Sequence, residues 1–370
     1  MEIRPSTMDE AVAAVKELAA GGTPVRPVGA GSRATWGGRD PDGAVALHTG
    51  ALDRIVEHNP GDFTAVLQAG VPLAAAQEHF ARAGQMLAVD PPTFPGPMPS
   101  GPERAGGTIG GLLATADSGP ARHRFGGMRD LVIGVEVLLS DGTVARAGGK
   151  VIKNVAGYDL SKLYTGSYGT LGLVTEVAVR LHPLPGPTAT VLGSSDDPHV
   201  LAGAALALAK QPLEALCLDI GWPAEGPGRL LLRFAGRTAA DRARRIGLAG
   251  LDDVHVEEDD EGLWNAQRAA QRDPDGPVLK VPHKPADLGD VLATARSHGL
   301  AAVSRAALGL TWVRGGSREI FPRATVLDGA AGVADPWPPA DAGALALMRR
   351  VKARMDPARI FRPGTFVGGI

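Results

Sequence analysis

Cysteine is almost missing from this chain: among 370 residues only Cys217 occurs. One thiol cannot form an intramolecular disulfide, so a disulfide framework is excluded and a cytoplasmic setting is expected. An excess of one charge is missing as well. Lys and Arg number 38 against 40 acidic residues, which removes the electrostatic reason to expect nucleic acid or an anionic membrane as partner. Long apolar runs are also lacking, and no stretch approaches the roughly 18 uncharged residues that span a bilayer. The first residues carry Glu2, Asp9, Glu10 and Glu17 and no extended apolar segment, so they do not read as a secretory leader. Histidines are scattered: the nearest two of nine, His48 and His58, stand ten apart. No metal-ligand spacing results, no metal is expected, and His283 and His298 read as ordinary surface or packed residues.

Glycine and proline, by contrast, are abundant, at 50 and 30 residues. Glycine is clustered without a repeat, which points to backbone that turns sharply or approaches something closely. A helix is expected over 7–20, capped by Thr7 with Glu10 three residues on and carrying a Val12, Val15, Leu18 stripe. A second helix starts at Pro72, and a third is expected to end at Ser118-Gly119. Asp141-Gly142 joins two β-rich runs into a hairpin. Beyond residue 188 strands and Ala-rich helices alternate, consistent with an α+β sheet with helices on one face. The acidic run 257–261 reads as solvated or as a helix start. An amphipathic helix before Asp356-Pro357 leads into an extended tail.

The stretch "VGAGSRATWGG" (28–38) matches the G-x-G-x-x-A spacing of a dinucleotide loop. A Rossmann turn needs a helix after the loop and an acid about 20 residues on. Here Gly37, Gly38 and Pro41 break any helix, and Asp53 lies in the wrong context. Gly29 and Gly31 can still turn successive N–H groups into a concave anion nest. A tight turn without a ligand accounts for the same glycines, and both readings stand on this stretch alone.

Two further clusters change the balance: "GGTIGGLLATADSG" (106–119) and "KVIKNVAGYDLSKLYTGSYGTLGLVTEV" (150–177). Their order and spacing over about 1–185 resemble the vanillyl-alcohol oxidase, or PCMH-type, flavoprotein family. Within it they are most similar to the FAD-binding subunits of bacterial glycolate oxidases. The resemblance implies an α+β, PCMH-type two-subdomain FAD-binding fold over 1–186. A smaller α/β sandwich cap of ferredoxin-like character is implied over 187–330, with a helix and tail at 331–370 returning to the first domain. It implies noncovalent FAD, since the first loop carries no histidine and Cys217 lies in the second domain. The pyrophosphate falls to Val28, Gly29, Ala30, Gly31 and Ser32. A second loop at Thr108, Ile109, Gly110 and Gly111 lies along the cofactor, followed by Ala114, Ser118 and Gly119. Glycine is expected there so that backbone can lie against the cofactor.

Asp90 and Pro91 match a flavin-facing segment, and Val174 a strand position whose backbone meets the pyrimidine end of the isoalloxazine. Lys153 is the candidate cation beside flavin N1, and Tyr158 a candidate ring neighbour. Lys162 and Ser167 read as structural. Arg314 and Arg318 are candidates for gripping a substrate carboxylate. Arg362 stands where the family tends to have Asn. The implied activity is oxidation of glycolate or another small 2-hydroxy acid, by hydride transfer to FAD. The resemblance also implies that electrons pass on to an iron–sulfur partner; with one cysteine this chain cannot hold such a cluster itself. A larger FAD-binding oxidase subunit is the other implied partner, and attachment at the inner membrane would run through partners. A noncatalytic FAD-binding or assembly subunit is the alternative.

Overall fold

A computed structural model describes residues 1–93, 106–150 and 159–370. The N-terminal part begins with β1 (Glu2–Ile3), α1 (Met8–Ala20), β2 (Val25–Val28) and β3 (Val45–His48), with strand order β1-β3-β2, all parallel. The Thr7 hydroxyl accepts the Glu10 N–H, and Asp9 and Glu10 sit in the first turn, where the helix dipole favours acids. The buried stripe is Ala11, Val15 and Leu18, one residue off the expected one, because Val12 stays half-exposed. No helix follows β2, only turns over 29–38.

Next come β4 (Ile55–Asn59), β5 (Thr64–Gln68), α2 (Leu73–Ala81), β6 (Gln85–Met86), α3 (Ile109–Thr115), α4 (Arg122–Phe125) and α5 (Met128–Leu131). They are followed by β7 (Val132–Leu138), β8 (Val144–Gly148), α6 (Ser161–Tyr164), β9 (Leu173–Arg180) and β10 (His182–Pro183). Five of these strands form an antiparallel sheet ordered β4-β5-β9-β7-β8, with β7 and β8 joined through Asp141-Gly142. Leu112 and Leu113 of α3 are buried with Leu67, Val135 and Val177 of that sheet. α3 stops earlier than expected, at Thr115, because Ala116 takes a left-handed conformation (φ 51°), three residues before Gly119.

The second part contains β11 (Thr188–Ser195), α7 (Pro198–Ala209), β12 (Cys217–Trp222), β13 (Gly228–Ala235), α8 (Ala239–Arg244), β14 (Asp252–Glu257) and α9 (Glu261–Ala269). It continues through β15 (Val278–Pro282), α10 (Leu288–Ser297), β16 (Ala302–Arg305), β17 (Leu310–Arg314) and β18 (Thr325–Val326). These strands make one antiparallel sheet ordered β14-β11-β13-β12-β16-β17-β15-β18. α7, α8 and α10 bury leucines and alanines against one face. Contrary to the one-face expectation, α9 covers the other face, where Trp264 packs on Cys217 and Leu231 and donates to the Thr190 hydroxyl. That face also holds ion pairs, Arg305–Asp219 (2.6 Å) and Arg233–Asp260 (2.6 Å). Buried charges persist only when paired, and each guanidinium here has its carboxylate.

Helix α11 (Ala342–Met355) precedes the tail. Asp356 accepts the Ile360 and Phe361 amides, and Lys352 donates to the carbonyls of Thr170 and Phe361. The tail then runs beside β2, with Val25 N–H bonded to Ile360 O and Arg362 N–H to Val25 O. This return brings Arg362 back to the loop after β2.

Candidate functional site

A cavity lies where the small parallel sheet meets α3 and β9. Its walls are the 28–34 loop, Thr108, Gly110, Gly111, Ala114 and Thr115 from α3 and its cap, Tyr168 and Gly169, and Leu173 and Val174 of β9. Arg26, Arg33 and Arg362 are the charged residues of the wall, and among the described residues no carboxylate lines it.

The donor set fits a diphosphate. Among the described residues, the amides of Gly29, Gly31, Ser32 and Arg33 give their N–H to no acceptor. Buried backbone donors such as those of Ser32 and Arg33 are ordinarily paired, so unspent amides on a cavity wall with only cationic side chains suit an anion. Gly31 has φ +81° with open space where a Cβ would stand, so glycine serves conformation there.

At the other glycines the reason differs from the expectation. A Cβ on Gly29 would fall 2.2 Å from Thr108 Oγ1, and one on Gly110 would fall 2.6 Å from the Ala69 Cβ. These glycines let the two loops and β5 approach one another, before any cofactor is considered.

Of the residues singled out from the sequence, Val28 to Ser32, Thr108, Gly110, Gly111, Ala114 and Val174 line the cavity. Ile109 does not: its side chain is in the core and its N–H is bonded to Val71 O. Asp90 and Pro91 pack with Ser118 and Gly119 away from the cavity wall. There Asp90 Oδ1 accepts the Ala121 N–H, and a Cβ on Gly119 would fall 1.8 Å from Asp90 O. Burial pushes the Asp90 carboxyl up to about 6, opposed by Arg268 at 3.6 Å. Lys153 and Tyr158 lie outside the described residues. Arg314 is exposed and lines a separate groove with Trp222 and Arg229, and Arg318 donates to Asp335 O. Neither reaches the cavity, because β17 carries Arg314 to the sheet's far end. Lys162 donates to Val132 O, a structural bond.

Several residues were not legible as site residues. Arg33 pairs with Asp117 at 2.6 Å, both almost fully buried, and also donates to Ser32 Oγ (2.7 Å) and Pro92 O (3.2 Å). Arg362, at left-handed φ 43°, reaches Asp40, Tyr168 O and Trp36 O. Tyr168 also has left-handed φ (55°), and burial holds its phenol above the usual range. Left-handed non-glycine residues cost about 1–2 kcal/mol each, and these two line the cavity.

Beside Asp117 lies a second feature. Lys280 of β15 stands opposite Trp312 and Thr325 in the sheet, on the face away from the Leu279 core. Its ammonium makes no hydrogen bond or ion pair with the described residues. Burial first, and Arg122 second, hold its pKa below the lysine range, with Asp117 opposing. Arg122 has one long bond, 3.3 Å to Ser118 Oγ. Lys280 and Arg122, from the two parts of the chain, thus lie close enough to repel each other. Only the fold brings residues 122 and 280 together, and no spacing announces it.

The FAD binding domain family (FAD_binding_4) matches residues 1–148. Glycolate oxidase subunit GlcE of Escherichia coli is 39% identical over 141 residues, covering 38% of this chain and 37% of that protein. The D-lactate dehydrogenase of Archaeoglobus fulgidus is 30% identical over 270 residues, covering 69% of this chain and 58% of that protein. The chain therefore spans less than two thirds of the length of either relative. A solved alkyldihydroxyacetonephosphate synthase superposes on 98% of this chain and 76% of its own, with TM-score 0.68 and 15% identity, which establishes a shared PCMH-type fold. The match over residues 1–148 and the FAD-linked relatives give FAD as the cofactor of this chain.

Proposed function

We propose that this chain is an oxidoreductase subunit that oxidises a small 2-hydroxy acid of the glycolate or lactate type. FAD, when bound, supplies the hydride acceptor. The unspent amides of Gly29, Gly31, Ser32 and Arg33 would hold its diphosphate, with Thr108, Gly111, Ala114 and Val174 along its length.

The observation that carries the substrate class is the Lys280–Arg122 pair. Two like charges near one another are unfavourable, and a substrate carboxylate entering beside Lys280 would offset that repulsion. Charge-assisted hydrogen bonds of this kind are about twice as strong as neutral ones. A neutral alcohol would gain nothing there. Asp117, which acts on Lys280 electrostatically, pairs with Arg33 of the cavity wall, so an anion held by Lys280 would lie toward the cofactor site. The electrons would leave for an iron–sulfur partner, a role this chain's single cysteine cannot fill itself.

The test is anaerobic mixing of the FAD-loaded protein with glycolate or D-lactate, followed by flavin absorbance. Bleaching is expected, with Lys280→Met raising the half-saturating hydroxy acid concentration at least about tenfold while FAD stays bound. Bleaching at unchanged concentration in that variant would refute the carboxylate role. A wild-type flavin that no hydroxy acid bleaches would instead leave an FAD-binding assembly subunit.

A further inference from the structure

Two consecutive residues just after α9, Gln271 and Arg272, reach out of the second part of the chain and touch both glycine loops of the cavity region. Gln271 Nε2 donates to Ser118 O at 3.1 Å, at the end of the second loop, while its Oε1 accepts from Arg305. Arg272 Nη2 donates to Ser32 O at 3.0 Å, in the first loop. Both side chains are buried. The Arg272 fork also holds Asp328 in a bidentate pair (2.7 and 2.9 Å), and Asp328 accepts the Trp36 indole N–H at 2.8 Å. Trp36 therefore follows the same anchor, with the Arg272 guanidinium 5.2 Å from its ring centre and that of Arg33 at 5.7 Å on the same ring.

The bond to Ser32 O has a directional consequence. A trans peptide is planar, with its C=O and N–H pointing oppositely. With Ser32 C=O drawn outward to Arg272, the Arg33 N–H of the same peptide is turned away from Arg272, and it is one of the amides left unspent. The carboxylate of Asp328 already neutralises the guanidinium, so the bond to Ser32 O is not required to pair its charge.

We propose that Gln271 and Arg272 are positioning residues for FAD. They make cofactor retention depend on the eight-stranded sheet domain, although the residues that would touch the cofactor lie elsewhere. This rests on the reading that the diphosphate binds at the 29–33 amides. Arg272 sets the tilt of the Ser32–Arg33 peptide before the diphosphate arrives, and Gln271 holds the end of the second loop at Ser118. Preorganised donors of this kind bind without the cost of ordering them at the moment of binding.

The experiment compares full-length wild type, Arg272→Lys and Gln271→Ala. Each is stripped of flavin and titrated with FAD by fluorescence, with ³¹P spectra of the bound cofactor and melting of the apoprotein recorded in parallel. Lysine keeps the charge for Asp328 but cannot fork to Ser32 as well. Arg272→Lys is expected to raise the FAD dissociation constant about tenfold, the size of one hydrogen bond to a charged group. It should also shift the diphosphate ³¹P resonances, with apoprotein melting within a few degrees of wild type. Gln271→Ala, which strands no charge and guards against a misfolded lysine variant, is expected to weaken FAD about three- to fivefold. Dissociation constants within twofold of wild type in both variants, with unchanged ³¹P spectra, would overturn the proposal. Wild type that binds FAD with ³¹P resonances identical to free FAD would overturn the diphosphate placement instead.

Discussion

Gly29 and Thr108 offer a direct way to ask whether the two loops are held together by their own packing. Gly29 has no left-handed φ, so alanine adds only volume at this position. That volume lands 2.2 Å from Thr108 Oγ1, well inside contact distance. Overpacking of this kind costs about 1–3 kcal/mol, and Gly29→Ala should lose that much from urea unfolding of the apoprotein. Thr108→Ala removes the α3 N-cap bond to Gly111 N–H (3.3 Å) and should cost about 1 kcal/mol. If the sites were independent, the double variant would lose about 2–4 kcal/mol. In the double variant, however, the nearest remaining Thr108 atom is its Cβ, 3.4 Å from the new methyl, an ordinary contact. The double variant is therefore expected to lose only about 1 kcal/mol, little more than Thr108→Ala alone, and to recover FAD affinity that Gly29→Ala lacks. Losses that add within about 0.5 kcal/mol would show that the loops do not meet as described.

Three more outcomes are expected. Because the Lys280 ammonium is held below the ordinary lysine range, half-saturating hydroxy acid should climb with rising pH before a normal lysine would titrate, and Lys280→Arg should flatten that rise. Asp90, raised from 3.8 to about 6, binds its proton more tightly folded than unfolded, so its contribution to stability is present at low pH and is lost as pH rises from about 4 to 6. Denaturant titrations across that window should show a fall to which Asp90 contributes up to about 3 kcal/mol, alongside Asp219, which burial also raises to about 6; the fall should be smaller in Asp90→Asn, and an unchanged slope in that variant would refute the assignment. Cys217 is buried and its thiol is pushed up by that burial, so a thiol reagent should leave the native protein unmodified and label one equivalent only after unfolding; rapid labelling of native protein would contradict its placement.

Local signals were the readable part of this chain. The α1 cap at Thr7, the Asp141-Gly142 hairpin and the break after the 29–31 glycines all act within a few residues, and each appears where the sequence places it. The end of α3 escaped such rules because Ala116 adopts a left-handed φ that alanine rarely takes, a conformation imposed by its surroundings and invisible to a rule about glycine. The arginines expected to grip a carboxylate do not gather near the cavity: Arg314, at the end of β17, lines a separate groove and Arg318 bonds Asp335 O.

What the amino acids indicated alone was an order of glycines, at 29, 31, 110 and 111, that suits close-packed loops and a phosphate nest, and the resemblance of that order to a flavoprotein family implied FAD. What only the tertiary structure decided was which cations meet. Arg33 finds Asp117 and Arg272 finds Ser32 across 84 and 240 residues of chain. Such partners are selected by desolvation, since a charge leaving water must be met by another group wherever the fold places one. No spacing rule along the chain encodes that choice.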